Sequence, residues 1–99
     1  MSSFEIILTE EADDYLKLLA SDKGRLRTYK AVSKALRLMS ENLRHPSSET
    51  HEFHSKQGPK GEKILESYAQ NKTPGAHRIF WYYGPGKKEI TIIAITPHP

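Results

Sequence analysis

A chain of 99 residues makes one domain, able to bury a single core with little surplus. It has no cysteine, which excludes disulfides and thiolate metal sites, and no apolar run near the roughly 20 residues that span a membrane. The net charge is +3, a modest excess that is unevenly spread. The start, MSSFEIILTEEADD, is acidic and lacks the basic and apolar regions of a secretory signal, so a reducing, cytoplasmic setting is expected.

Phe4–Leu8 (FEIIL) is a short β-branched run and reads as a strand. Thr9 follows as a helix N-cap, with Glu10, Glu11 and Asp13 where the positive helix end favours them. A helix is expected from about Glu10 to Ala20, with Ala12, Tyr15, Leu16 and Leu19 as its apolar stripe. Ser21-Asp22-Lys23-Gly24 is either a break or a tight connection between helices. A second helix is expected from about Arg25 to Asn42. Tyr29, Val32, Leu36, Met39 and Leu43 recur along one side of it, and Arg27, Lys30, Lys34 and Arg37 along another. From Lys23 to Arg37 every charged residue is basic: Lys23, Arg25, Arg27, Lys30, Lys34 and Arg37. That segregation has two readings, a solvated face or a footprint for an anionic partner. Leu43-Arg44-His45-Pro46 ends the helix, because proline cannot continue it.

Ser47–Gly61 is polar and rich in turn formers, with Thr50–Ser55 (THEFHS) expected as a short edge strand whose Phe53 points inward. His51 and His54 do not have the spacing of a helical zinc motif, and the expected reading is surface histidines and no metal. Three strands complete the chain. Glu62–Asn71 (EKILESYAQN) runs into a turn at Thr73-Pro74-Gly75. His77–Tyr83 (HRIFWYY) runs into Gly84-Pro85-Gly86. Glu89–Thr96 (EITIIAIT) ends at Pro97-His98-Pro99. The last strand is apolar on both faces except at Thr91, which marks it as central. In the strand before it, Ile79, Trp81 and Tyr83 are expected in the core and Arg78, Phe80 and Tyr82 on the exposed face.

The expected fold is α+β: an N-terminal strand, a helical hairpin, then an antiparallel meander, with both helices on one face of a mainly antiparallel sheet. The free face, together with the basic helix, is where a ligand would sit.

No serine lies in a nucleophile-elbow pattern, so hydrolytic chemistry would need a nucleophile from water or the substrate. RNA carries one. Its 2′-hydroxyl attacks the adjacent phosphate when a base, an acid and cationic donors are supplied, and no metal or other cofactor is needed. If the last two strands are antiparallel neighbours, Arg78 at the start of one and His98 past the end of the other converge. Arg78 suits the phosphate, through a bidentate fork. His98 suits either proton transfer, since its ordinary pKa is near neutral. Glu66, on the strand beside Arg78, is a candidate base, and alternation puts it on one face with Tyr68 and Gln70. Tyr68, Tyr82, Phe80 and Trp81 are candidate stacking surfaces for bases. The competing reading is a plain cross-strand ion pair of Arg78 with Glu66 and a frayed His98.

The helix-ending Leu43-Arg44-His45-Pro46, the strand Leu65-Glu66-Ser67-Tyr68, the strand His77-Arg78-Ile79-Phe80-Trp81, and Ile92-Ile93-Ala94-Ile95 followed by Pro97-His98 occur in an order that resembles the RelE/ParE superfamily. These are toxins of type II toxin–antitoxin pairs, and the resemblance covers essentially the whole chain. It implies an endoribonuclease that cuts mRNA in the ribosomal A site and a cognate antitoxin that masks the site. In the ribosome-dependent members, an arginine matching Arg78 contacts the scissile phosphate and a side chain matching His98 transfers a proton. A residue matching Glu66 or Tyr68 contributes as well. Lys23, Arg25, Arg27, Lys30, Lys34 and Arg37 would then contact ribosomal RNA, with Tyr68 and Tyr82 also on the RNA. This chain departs from members with a lysine pair on the strand Leu65–Ala69 and has no tyrosine after His98. The alternative is a non-catalytic binding module: a ParE-like gyrase inhibitor or an inactive RelE-like partner-binding protein.

Overall fold

A computed structural model describes residues 3–41, 50–70 and 76–97. Strand β1 (Glu5–Leu8) leads through Thr9 into helix α1 (Glu10–Ser21). The Thr9 side chain accepts a hydrogen bond from the Ala12 N–H at 3.3 Å, which satisfies an otherwise orphaned donor of the first turn. Its hydroxyl also faces the backbone oxygens of Ile92 and Ile93 at 3.1 and 3.2 Å, tying the strand-to-helix corner to the middle of the sheet. Asp22 is extended and stops α1, and its carboxylate accepts from the Gly24 N–H at 2.9 Å. A single 3₁₀ turn (Lys23–Arg25) then feeds helix α2 (Leu26–Glu41), so the break is a tight connection. Val32, Ala35, Leu36 and Met39 form the buried side of α2.

Strands β2 (Thr50–Gln57), β3 (Lys63–Tyr68), β4 (His77–Tyr83) and β5 (Glu89–Pro97) form the meander. The sheet order is β1-β5-β4-β3-β2, with β1 parallel to β5 and every other pair antiparallel. The expected α+β architecture is therefore present. β5 is interior, as its two apolar faces require, and β2 is an edge. Both helices cover one face, where Leu19, Val32 and Met39 pack on Ile79, Trp81, Ile90, Ile92 and Ile95.

The opposite face differs from expectation. It carries a second apolar cluster of Ile64, Phe80 and Tyr82, joined by Phe53, Ile93 and Ala94. Phe53 points inward, but into this cluster and away from the helices. Its ring meets that of Phe80 edge to face at 4.9 Å. Phe80 and Tyr82 are consequently only 8% and 7% exposed. A bulge makes this possible. Phe80 pairs with Ala94 but Trp81 pairs with Ile92, so Ile93 is an extra residue in β5. Ile92 and Ile95 face the helices while Ile93 and Ala94 face away. Tyr83, expected in the core, lies at the strand end and is exposed, with its ring edge against Trp81 and Phe4. No helix among the described residues is long and apolar enough to cross a membrane.

Candidate functional site

The β3–β4 register aligns Glu66 with Phe80 and Tyr68 with Arg78, and β5 places Thr96 across from Arg78. Alternation then sets Glu66, Tyr68, Arg78 and Thr96 on the face away from the helices. The Arg78 Nη1 donates to Glu66 Oε2 at 2.9 Å. The two side chains are 21% and 14% exposed, so this is a shielded pair and not a loose surface contact. The Arg78 guanidinium also lies 5.0 Å from the centroid of the Phe80 ring, whose negative face attracts it. Two contacts on two neighbouring residues thus fix the orientation of the guanidinium before any ligand arrives. Its Nε is buried and has no hydrogen-bond partner among the described residues, and the same is true of the Thr96 hydroxyl.

Arg78 and Thr96 line a cleft of about 250 Å³. Its floor is apolar, made by Phe53, Ile64, Phe80 and Ile93. Lys56 from the edge strand and Glu11 from the first turn of α1 complete its polar lining. Glu11 reaches it because β1 pairs with β5 only as far as Ile92, which leaves the rest of β5 open to the start of α1. A cleft with a greasy floor and two cations and a carboxylate on its walls can hold an anion next to a flat apolar group.

Sequence reasoning brings Arg78 and Glu66 together, and they are together here. His98, expected to meet Arg78, lies outside the described residues. Tyr68 is on the same face beside Arg78 but is 8% exposed, and Tyr82 lies toward the other end of β4, on a separate cleft with Pro59, Lys60 and Pro85. Trp81 is in the helix-side core, with its indole N–H donating to Ser67 Oγ, so it offers no stacking surface. Phe80 and Tyr82 offer little, because the neighbouring apolar side chains cover them.

The basic segment is not part of this cleft. Lys23, Arg25, Arg27, Lys30, Lys34 and Arg37 are all exposed, on the helical layer across the sheet from Arg78. Arg25 pairs with Asp22 and Arg37 with Glu41, each at 3.3 Å. The helix and the open face are therefore two surfaces and not one. Glu11, Lys56 and Thr96 escape sequence reasoning, as does His51, which the register sets directly across from Glu66. Of these only Thr96 had a usable signal, its parity with Arg78 across an antiparallel pair.

No family model matches the chain, and no curated protein matches it. Two solved structures share its fold. A YoeB dimer from Staphylococcus aureus is 12% identical with a TM-score of 0.69, covering 99% of this chain and 100% of that one. A YoeB/ParE toxin from Agrobacterium tumefaciens is 9% identical with a TM-score of 0.68, covering 97% and 100%. The described residues have the RelE-like fold of these toxins.

Proposed function

We propose that this protein is the toxin of a type II toxin–antitoxin pair, a cytoplasmic endoribonuclease that cuts ribosome-bound mRNA without a metal. The observation that carries the reading is Arg78: a guanidinium held in the wall of an open-face cleft by Glu66, with Nε unpartnered. The shared fold with YoeB toxins supports the class.

In this reading the 2′-hydroxyl of the substrate attacks the adjacent phosphorus. The P–O bond to the 5′ oxygen breaks, leaving a 2′,3′-cyclic phosphate and a 5′-hydroxyl. Glu66 takes the 2′ proton. One of its oxygens is held by Arg78, and the other is available to the proton. Arg78, with one of its five N–H groups engaged, turns the remaining donors to the phosphate oxygens as charge builds on them. His98, two residues beyond Thr96 in the chain, protonates the departing 5′ oxygen.

The helical layer has a separate role. Lys23, Arg25, Arg27, Lys30, Lys34 and Arg37 grip ribosomal RNA on one side of the sheet while the cleft meets the messenger on the other. Tyr68 and Tyr82 flank the path along β3 and β4. The cognate antitoxin covers the open face, where Phe53 and Ile93 give it apolar purchase beside Arg78.

The test is cell-free translation followed by mapping of mRNA 5′ ends. The parent protein should produce cuts within the codon in the A site, and Arg78→Ala should produce none while keeping the parent's circular dichroism. Uncut mRNA with the parent protein would remove the nuclease reading. The second reading, a partner-binding or gyrase-inhibiting module, is favoured by one observation: Arg78 is already neutralised by Glu66. Inhibition of DNA supercoiling by the parent, without mRNA cutting, would establish it.

A further inference from the structure

We propose that Thr96 is a phosphate-contacting residue: its hydroxyl and the Nε–H of Arg78 form the two sides of one oxyanion niche, with a phosphodiester as its ligand. Three observations meet here. Arg78 and Thr96 are directly opposed in the β4–β5 register. Both line the same cleft. And Arg78 Nε and Thr96 Oγ1 are both buried with no hydrogen-bond partner among the described residues.

Buried polar atoms are nearly always satisfied, so two orphans on directly paired residues call for a common explanation. They do not satisfy each other. The threonine oxygen could accept from Nε–H, but no such bond forms between them. A group that accepts from both at once completes them. An anionic oxygen does so better than a neutral one, because a bond from a guanidinium to a charged acceptor is the stronger kind. The threonine hydroxyl swings between staggered χ1 wells, so it can turn toward the cleft as a ligand enters.

The charges select the ligand. Arg78 is paired with Glu66, and the lining adds one cation, Lys56, and one carboxylate, Glu11, so the formal charges sum to zero. A dianion gains little there. A phosphodiester, with one charge and a base to lay against the half-buried Phe53 and Ile93, gains from both kinds of contact. The niche gains value as charge accumulates on the phosphate, since a donor bonds a more highly charged oxygen more strongly.

That the phosphodiester belongs to RNA rests on the nuclease reading; the niche itself does not. The decisive measurement follows the Arg78 Nε–H resonance of the full-length protein by ¹H–¹⁵N NMR. The probes are a dinucleoside monophosphate blocked by 2′-O-methylation, which cannot be cut, and inorganic phosphate. The dinucleotide should shift the Nε–H signal saturably. Thr96→Val should weaken that binding about 3- to 10-fold, the worth of one hydrogen bond, and Thr96→Ser should restore it. The backbone amide spectra of both variants check that the fold is kept. Binding by Thr96→Val equal to the parent would overturn the role of Thr96. An Nε–H signal that the dinucleotide does not move would overturn the niche, even if phosphate moves it. Should the niche bind as described while the parent leaves mRNA uncut, the niche stands and the nuclease reading alone falls.

Discussion

Glu66→Gln separates the two roles that one carboxylate can hold. Glutamine keeps the shape of Glu66 and keeps an oxygen that accepts from Arg78 Nη1, now 2.9 Å from Glu66 Oε2. What it loses is the charge and the basic oxygen. The structural loss is bounded. A hydrogen bond to a charged group contributes roughly 1.5–3 kcal/mol and a neutral one roughly 0.5–1.5. Arg78 retains some access to solvent, so its unbalanced charge is not stranded. The variant should therefore lose about 1–2 kcal/mol, read as a lower urea midpoint with an unchanged slope. If Glu66 takes the 2′ proton, the cleavage rate should fall far more, by roughly 10²–10⁴-fold. The assay is single-turnover cutting of ribosome-bound mRNA at a temperature where the variant is fully folded. Cleavage within tenfold of the parent, with the midpoint lowered as stated, would refute the base assignment. Glu66 would then be the anchor of Arg78 and nothing more.

Other outcomes follow from the same geometry. Arg78→Lys keeps a positive charge but cannot reach Glu66 and a phosphate together. It should lose most of the cleavage that Arg78→Ala loses, measured in the same translation assay. Lys30→Glu with Lys34→Glu alters the helical layer and leaves the cleft untouched. It should weaken ribosome binding and flatten its dependence on salt in a co-sedimentation series, without changing the blocked dinucleotide's affinity for the cleft. Phe80→Leu removes the ring under the Arg78 guanidinium. It should loosen Arg78, seen as faster exchange of its Nε–H, and destabilise the chain by about 1–2 kcal/mol.

Much of this fold is written in local chemistry. Thr9 followed by acidic residues marks the start of α1, and Val32, Leu36 and Met39 recur with the period of a helix against a core. β5 reads as interior because a strand with isoleucine on both faces has nowhere else to go. The pairing of Arg78 with Glu66 is legible too, since alternation on adjacent strands sets their faces. The Ile93 bulge is not legible. One extra residue breaks the alternation, and only the pairing partners reveal it. Burial of Phe80 and Tyr82 follows from that bulge and from Phe53, a residue on a distant edge strand. The cleft itself is drawn from α1, β2, β3, β4 and β5, so Glu11, Lys56 and Thr96 converge only in three dimensions. Period and propensity report what a residue's own element needs, and they are silent on which elements meet.

The site also depends on a contact on the other side of the sheet. Ser67 Oγ accepts from the buried indole N–H of Trp81 at 2.9 Å and shares a hydrogen with Thr50 Oγ1 at 2.8 Å. One hydroxyl therefore links β4 to β3 and β3 to the edge strand β2. Those pairings are what hold Glu66 beside Arg78 and bring Phe53 and Lys56 to the cleft. Ser67→Ala leaves the Trp81 N–H with no acceptor, which should destabilise the protein by roughly 1–3 kcal/mol. Thr50→Val removes the outer bond to Ser67 but leaves the buried indole its acceptor, and should have a smaller effect. Ser67 and Trp81 face the helices, opposite Glu66 and Arg78, so no ligand touches them. Ser67→Ala should thus lower the unfolding midpoint and leave the cleavage rate of the folded fraction near the parent value. Equal stability of Ser67→Ala and Thr50→Val would show that the indole finds another acceptor. A loss of rate at full folding would show instead that the register of β3 on β4 sets the reacting geometry more finely than the Arg78–Glu66 pair does alone.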